Sequence, residues 1–472
     1  MRTKRLTIWA TLLVVAMSVP AARAQQQAQD QSAPPIPAYR SPLASAADNG
    51  DDEMADPQKM APDTRSLAGA QDLSIGVPSA RHSYWQPYFN VTSTGGSNAL
   101  SATGQSEWTT YTSLSGGVDL HRISGNSDLT LTYLGGGTVT NNQNMGNSVT
   151  QEFELAEKLT FRRSTISIFD QLNYIPETGF GYGGVNGLAL PGGGSLGLQT
   201  GLLPGQSILT TRGQQLANSS IAQVDTYLNS RSSFTFVGGY SLLHFFDNDL
   251  LNSGDAIFQA GYNHQMSRQN TFAIFYRFSG YRYSSSNQSF DDNSFQLSFG
   301  RRVTGQLAFQ IAGGPDVAII NLPLSATGPS GGSGSGTAAS SRTQVYWSLS
   351  SSLIYQLRRN GFALSYNHGL GGGSGVLAGS VSDSLSGSVN RQLRRTLSGS
   401  FNLGYARNKA LTLTTPTATS SQTFDYWFSG VNFSHPWGRA LSLNLGYQLQ
   451  YQNSNSSFCI GPTCGTSTVR HQ

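Results

Sequence analysis

From Leu441 to Gln452 the chain reads LSLNLGYQLQYQ, with apolar and polar side chains alternating without a break. In an extended strand Leu441, Leu443, Leu445, Tyr447, Leu449 and Tyr451 share one face, and Ser442, Asn444, Gly446, Gln448, Gln450 and Gln452 share the other. The same period of two returns at Leu129/Leu131/Tyr133, Phe153/Leu155, Phe234/Phe236/Tyr240, Phe295/Leu297/Phe299, Leu307/Phe309/Ile311, Phe362/Leu364/Tyr366 and Phe401/Leu403/Tyr405. No run follows the helical period of 3.6, so the pattern predicts a domain of strands alone.

The punctuation between these runs is of two kinds, and the kinds alternate. Tight basic turns stand at HRISGN, FRRST, NSRSS, MSRQN, GRRVTG, QLRRNG, RQLRRT and HPWGR, eight in all. Between them lie longer Gly, Ser, Thr and Asn segments such as TGPSGGSGSGTAASS at 327–341. Eight short turns join sixteen strands, and one more strand at each end predicts about eighteen, with sixteen as the lower count. An even antiparallel ring with short turns at one end and long loops at the other is the arrangement of a transmembrane up-and-down β-barrel. On this reading the apolar face meets lipid and the polar face a wet lumen.

Composition agrees. Charged residues make up only 11% of the chain, against roughly 25% in ordinary soluble domains, while neutral polar residues suit an enclosed watery face. The first 24 residues have the parts of a secretory signal: Arg2, Lys4 and Arg5, then the apolar run LTIWATLLVVAMSV, then the small-x-small site Ala22-Arg23-Ala24. They hold four of the 29 Lys and Arg and none of the 25 Asp and Glu, so residues 25–472 carry 25 of each sign. That balance removes the case for a nucleic-acid partner. Residues 25–80, with eight acidic and three basic residues and no apolar period, read as a disordered periplasmic tail, and residues 81–472 as the barrel.

The architecture resembles bacterial outer-membrane β-barrel proteins of the porin-like kind over about residues 84–472. The resemblance implies outer-membrane lipid and the barrel assembly machinery as partners, a homo-oligomer as a further option, and small hydrophilic solutes as cargo. The segment Pro176 to Gln215 opens PETGFGYGG, similar to the Pro-Glu-Phe-Gly-Gly run of the constriction loop in general porins. Pro176, Glu177, Leu188, Leu190 and Leu196 are the constriction candidates on that likeness; after Glu177 no acidic residue follows through GLALPGGGSLGLQTGLLPG. The resemblance also implies a terminal aromatic and a full closing strand. Here GTSTVRHQ reaches only Gln472, so residues 466–472 are expected to pair with the outer half of the first strand, leaving a notch, and the natural reading frame is expected to continue.

Candidate chemistry changes little. GGGSLG, Gly192 to Gly197, matches two glycine motifs but lacks the strand-to-helix context that either needs. The seven histidines are scattered, so neither a catalytic centre, nor a cofactor, nor a metal site is predicted. His244, Asp247, Asp249 and Asp255 are read as one external loop and Asp291 with Asp292 as the next, a solvated rim that could hold a divalent cation. Parity places Asp119, Asp128, Glu152, Glu154, Lys158 and Asp225 on the lumen face, together with Arg277, Tyr281 and Tyr283, as selectivity candidates. Cys459 and Cys464, in FCIGPTCG of the last external loop, are expected to form a disulfide. The function expected is a non-enzymatic diffusion channel; an export or anchoring barrel, as for polysaccharide, and a non-conducting structural barrel are the alternatives.

Overall fold

The computed structural model describes residues 83–471 except 99–106, 141–146, 176–214, 247–249, 285–287, 323–339, 358, 373–375, 412–421, 438–440 and 461–462. Both halves of the sequence pattern are realised in it. The strands are β1 (Tyr84–Asn98), β2 (Glu107–Ser124), β3 (Ser127–Thr140), β4 (Ser148–Thr160), β5 (Ser164–Ile175) and β6 (Gln215–Asn229). They continue with β7 (Ser232–Phe245), β8 (Ser253–Gln265), β9 (Asn270–Tyr283), β10 (Ser289–Arg302), β11 (Leu307–Leu322) and β12 (Ser340–Gln356). The last six are β13 (Asn360–Gly371), β14 (Ser380–Gln392), β15 (Ser398–Ala410), β16 (Thr423–Trp437), β17 (Leu441–Ile460) and β18 (Thr463–His471). Each pairs antiparallel with its sequence neighbours in one 18-stranded sheet, and the short connections fall at the eight basic turns. At the first of them Gly125 has φ 57°, which only glycine adopts without strain, so two residues suffice to reverse the chain.

The two faces separate as the alternation requires. Along β17 the apolar side is open, with Leu445 69% exposed, while Gln452 on the other side is fully buried. Phe89, Leu114, Phe236, Leu297, Trp347, Leu364 and Leu403 are likewise exposed, all on the outer face by register. An apolar belt of this extent around a whole ring is far beyond the few hundred Å² that a soluble monomer leaves in water. Towards the long-loop end the belt finishes in an aromatic pair, Tyr405 and Trp427 with ring centroids 4.4 Å apart. One residue pair further out the outer face turns polar. Tyr405 donates to Asp425 (2.7 Å), which also pairs with Arg407 (3.7 Å), and His368 meets Asp383 at 2.6 Å.

Ring closure is the weakest part of the fold. β18 pairs with β17 from Leu449 outward, but with β1 only at Ser97↔His471 and Asn98↔Arg470. Residues 84–96 of β1 and 441–448 of β17 therefore have no β18 partner, and a notch opens at the short-turn end as the sequence suggests. A second departure lies between β12 and β13. Their ladder covers only Leu349–Gln356, and beyond it residues 369–371 of β13 pair with β14 alone.

The structure corrects the reading of the last hairpin. The strand that begins at Leu441 does not end in a long loop near Gln452. It runs to Ile460 with a shift of register between Asn453 and Phe458, and β18 begins at Thr463. Polar residues such as Asn455 and Ser456 look like a loop in sequence, and in the structure they fall at the shift of register between Asn453 and Phe458. Cys459 and Cys464 are Cα partners across this hairpin.

Candidate functional site

The inner wall is where solvent, solute and polar side chains can meet, and its charge is unevenly spread. By register Asp119 on β2, Asp128 on β3, Glu152 and Glu154 on β4 and Asp225 on β6 all lie on the inner face. So do Asp255 on β8, Asp292 on β10 and Asp316 on β11, making eight carboxylates. The inward cations among the described side chains are Lys158, Arg277, Arg302 and Arg342. Over β13–β17 the inner face carries Ser, Asn, Gln, Ala, Gly and aromatic residues and no charge. A carboxylate-rich half faces a neutral half.

The carboxylates differ in how they are held. Asp225 accepts from Gln223 (2.7 Å) and Thr235 (2.5 Å), and Lys158 acts on both Asp225 and Asp128. Asp128 also meets His121 at 3.2 Å, and His121 in turn bonds Thr130 at 3.0 Å. These groups brace the wall near its short-turn end. Asp316 accepts from Ser348 at 3.0 Å, which links β11 to β12, and Gln296 on β10 donates to the same Ser348 at 2.8 Å. Asp292 is different: one oxygen lies 4.0 Å from Arg277, and the other is buried with no hydrogen-bond partner. One oxygen of Asp255 is in the same condition.

Aromatic side chains lie directly beyond these carboxylates. Tyr281 on β9 stacks on Phe290 on β10 with centroids 4.3 Å apart, and Tyr283 joins them. Ala318, Ile320 and Leu411 complete a buried apolar cluster, against which Tyr346 and Ala378 pack. On the opposite side Phe424, Tyr426 and Phe428 form an inward ladder on β16. Gly372 and residues 376–379, which follow β13, touch both. Tyr283 donates to the Gly372 carbonyl at 2.9 Å, and Leu377 packs on Phe424 with Val376 beside it. Gly379 has φ 90° and sits so close to Leu411 and Phe290 that a Cβ would come within 2.6 and 2.8 Å of them. Only glycine allows both the turn and the contact. The inturned residues thus join β9–β10 to β15–β16 across the interior and narrow it near the long-loop end.

Sequence reasoning placed the inward candidates by parity, and the register sets Asp119, Asp128, Glu152, Glu154, Lys158, Asp225, Arg277, Tyr281 and Tyr283 on the inner face. They do not form one site. Only Arg277, Tyr281 and Tyr283 lie in the region of the apolar cluster. Asp255, Asp291 and Asp292 were read as loop residues, and the structure corrects this: they belong to β8 and β10, with Asp291 outward, paired to Arg282 at 2.6 Å, and the other two inward. Carrying the alternation of Phe295, Leu297 and Phe299 back through Asp291 finds the same result. Asp316 was missed because GGPD resembles a turn, although Pro315 here sits within β11 on the outer face. The constriction candidates Pro176, Glu177, Leu188, Leu190 and Leu196 lie outside the described residues, as do Asp247 and Asp249. Among the described residues no three His, Cys, Asp or Glu side chains gather as metal ligands.

No protein-family model matches the chain, and no curated protein matches it. Solved structures do. OpdQ of Pseudomonas aeruginosa is 10% identical, over 83% of this chain and 98% of its own, with a TM-score of 0.41. A BenF-like porin of Pseudomonas fluorescens Pf-5 is 11% identical over 82% and 97%, also with a TM-score of 0.41. OccAB1 of Acinetobacter baumannii is 11% identical over 84% and 98%, with a TM-score of 0.41.

Proposed function

We propose that this chain is a bacterial outer-membrane β-barrel that acts as a passive diffusion channel for small hydrophilic solutes and performs no chemistry on them. The observation that carries the reading is the inverted ring: eighteen antiparallel strands, apolar outside and polar inside. Inversion of this kind fits a hydrocarbon solvent, where every backbone group needs an internal partner. Strand number supports a path as well, since rings of about eight strands are filled by their own side chains and those of about 16–18 leave water inside. The polar and aromatic belt around Tyr405, Trp427 and Arg407 suits the membrane–water interface. Residues 1–24 would then be the export signal and 25–80 a periplasmic tail. Folded protein in a planar lipid bilayer is expected to give discrete conductance steps. Folded, inserted protein without them would sink the channel reading and leave an anchoring or structural barrel.

The cysteine pair is part of the same proposal, since an exported hairpin tip favours the oxidised state. Cys459 and Cys464, as direct cross-strand partners, have a backbone placement compatible with a bridge. Non-reducing mass spectrometry of exported protein is expected to return the linked peptide, and Cys459→Ser is expected to leave barrel assembly intact because the closed loop is short. Two free thiols would refute the bridge.

A further inference from the structure

We propose that the lumen selects organic cations, and that Asp255, Asp292 and Asp316, set beside the Tyr281–Phe290 stack, form the surface that receives the cationic head. The proposal rests on the channel reading and adds the solute class to it.

Charge distribution is the first ground. Among the described side chains, eight inward carboxylates against four inward cations lie along β2–β12, and the facing wall β13–β17 is uncharged. A net-negative wall opposite a neutral one is not compensated across the lumen, so its field draws cations inward and disfavours anions.

Local geometry is the second. Asp255 is the Cα partner of Tyr281, Tyr281 of Phe290, and Asp292 follows Phe290 on the same face two residues on. Asp316 is the partner of Ser294, which is the partner of Arg277. Strand spacing places the three carboxylates along a patch roughly 20 Å long, with Asp292 between the other two. Arg277 is the one described cation inside it, so three carboxyl groups meet one guanidinium. The patch is also incompletely satisfied. Asp292 is 1% exposed and Asp255 9% exposed, and each buries a carboxylate oxygen that has no hydrogen-bond partner. Buried acceptors in that state are costly unless a donor arrives. An ammonium or guanidinium group supplies several donors and a charge of the right sign.

The aromatic cluster decides what kind of cation. Tyr281, Phe290 and Tyr283 present a buried apolar surface immediately next to the carboxylates. Ring faces attract cations and accept apolar stems, whereas a hydrated metal ion gains little from them. The fitting solute is therefore an amine or guanidine with an apolar body.

Two measurements test this. In a bilayer under a KCl gradient, the reversal potential is expected to report potassium over chloride by roughly tenfold, the lower end of the enrichment that a charged cleft produces, because cations on the same wall offset part of its field. Titration calorimetry on detergent-folded protein is expected to show binding of phenethylammonium and none of the matched anion phenylacetate. The double variant Asp255→Asn/Asp292→Asn is expected to weaken phenethylammonium binding by about tenfold or more, in line with loss of a charge-assisted contact. Should that variant not fold, the wild-type ion preference and the matched pair of probes still decide. Chloride preference, or phenylacetate binding as tight as phenethylammonium, overturns the inference and leaves the channel standing. Phenethylammonium binding without any conductance supports the recognition surface and overturns the channel instead.

Discussion

Replacing Leu364 by arginine is expected to cost the folded barrel about 2–4 kcal/mol, while Ser365→Arg, one residue away, is expected to cost little. Leu364 on β13 is 47% exposed on the outer face between Leu353 and Gly387, inside the belt and short of the polar rim at His368 and Asp383. If that face meets hydrocarbon, a guanidinium there must either leave water or drag water in. Ser365 faces the interior between Ser352 and Ser386, on the uncharged half of the wall, where an added side chain can reach solvent. Urea unfolding of the two variants in lipid vesicles, followed by heat-modifiable mobility, measures the difference. In a water-soluble barrel both surface arginines would fall within about 0.5 kcal/mol of wild type. Equal and small losses would thus remove the membrane reading altogether.

The same pair of neighbouring residues shows why so much of the fold was legible in the sequence. Side-chain direction in a strand has a period of two, so one exposed leucine and one inward serine fix the face of every residue until the register slips. Strand number followed from the basic turns for a similarly local reason, since short hairpins are encoded in contiguous residues. What alternation could not supply was extent. Asp255 and Asp292 stand beside Asn, Gly and Ser, which favour turns in isolation, and only pairing with β9 on both sides makes strands of them. The incomplete seam was partly legible from the short last strand, but its actual register, Ser97 against His471, depends on how far β17 continues past Gln452. Contacts across the interior were not legible at all. The hydrogen bond from Tyr283 to Gly372 joins residues 89 apart in sequence, and no spacing rule connects them.

Those cross-lumen contacts lead to the other large effect expected. Leu377 is 5% exposed against Phe424, and its burial stabilises the inturned segment by about 2 kcal/mol relative to a solvated side chain. Leu377→Ala removes most of that, and about 2 kcal/mol shifts a two-state balance roughly thirtyfold. Tyr283→Phe removes the donor to Gly372 and is expected to contribute about 1 kcal/mol in the same direction. Given the channel reading, each variant should raise the unitary current, with the larger rise in Leu377→Ala, because the segment narrows the path between Phe290 and Phe424. Ion preference separates two ways in which this could happen. If the segment only obstructs, current rises and the preference for cations stays, since Asp255 and Asp292 remain on their strands. If the segment also holds Tyr281 and Phe290 against the carboxylates, its release lowers phenethylammonium binding as the current rises. Unitary currents unchanged in both variants would show that the inturned residues do not bound the conducting path, and the narrowest point would then have to be sought elsewhere on the wall.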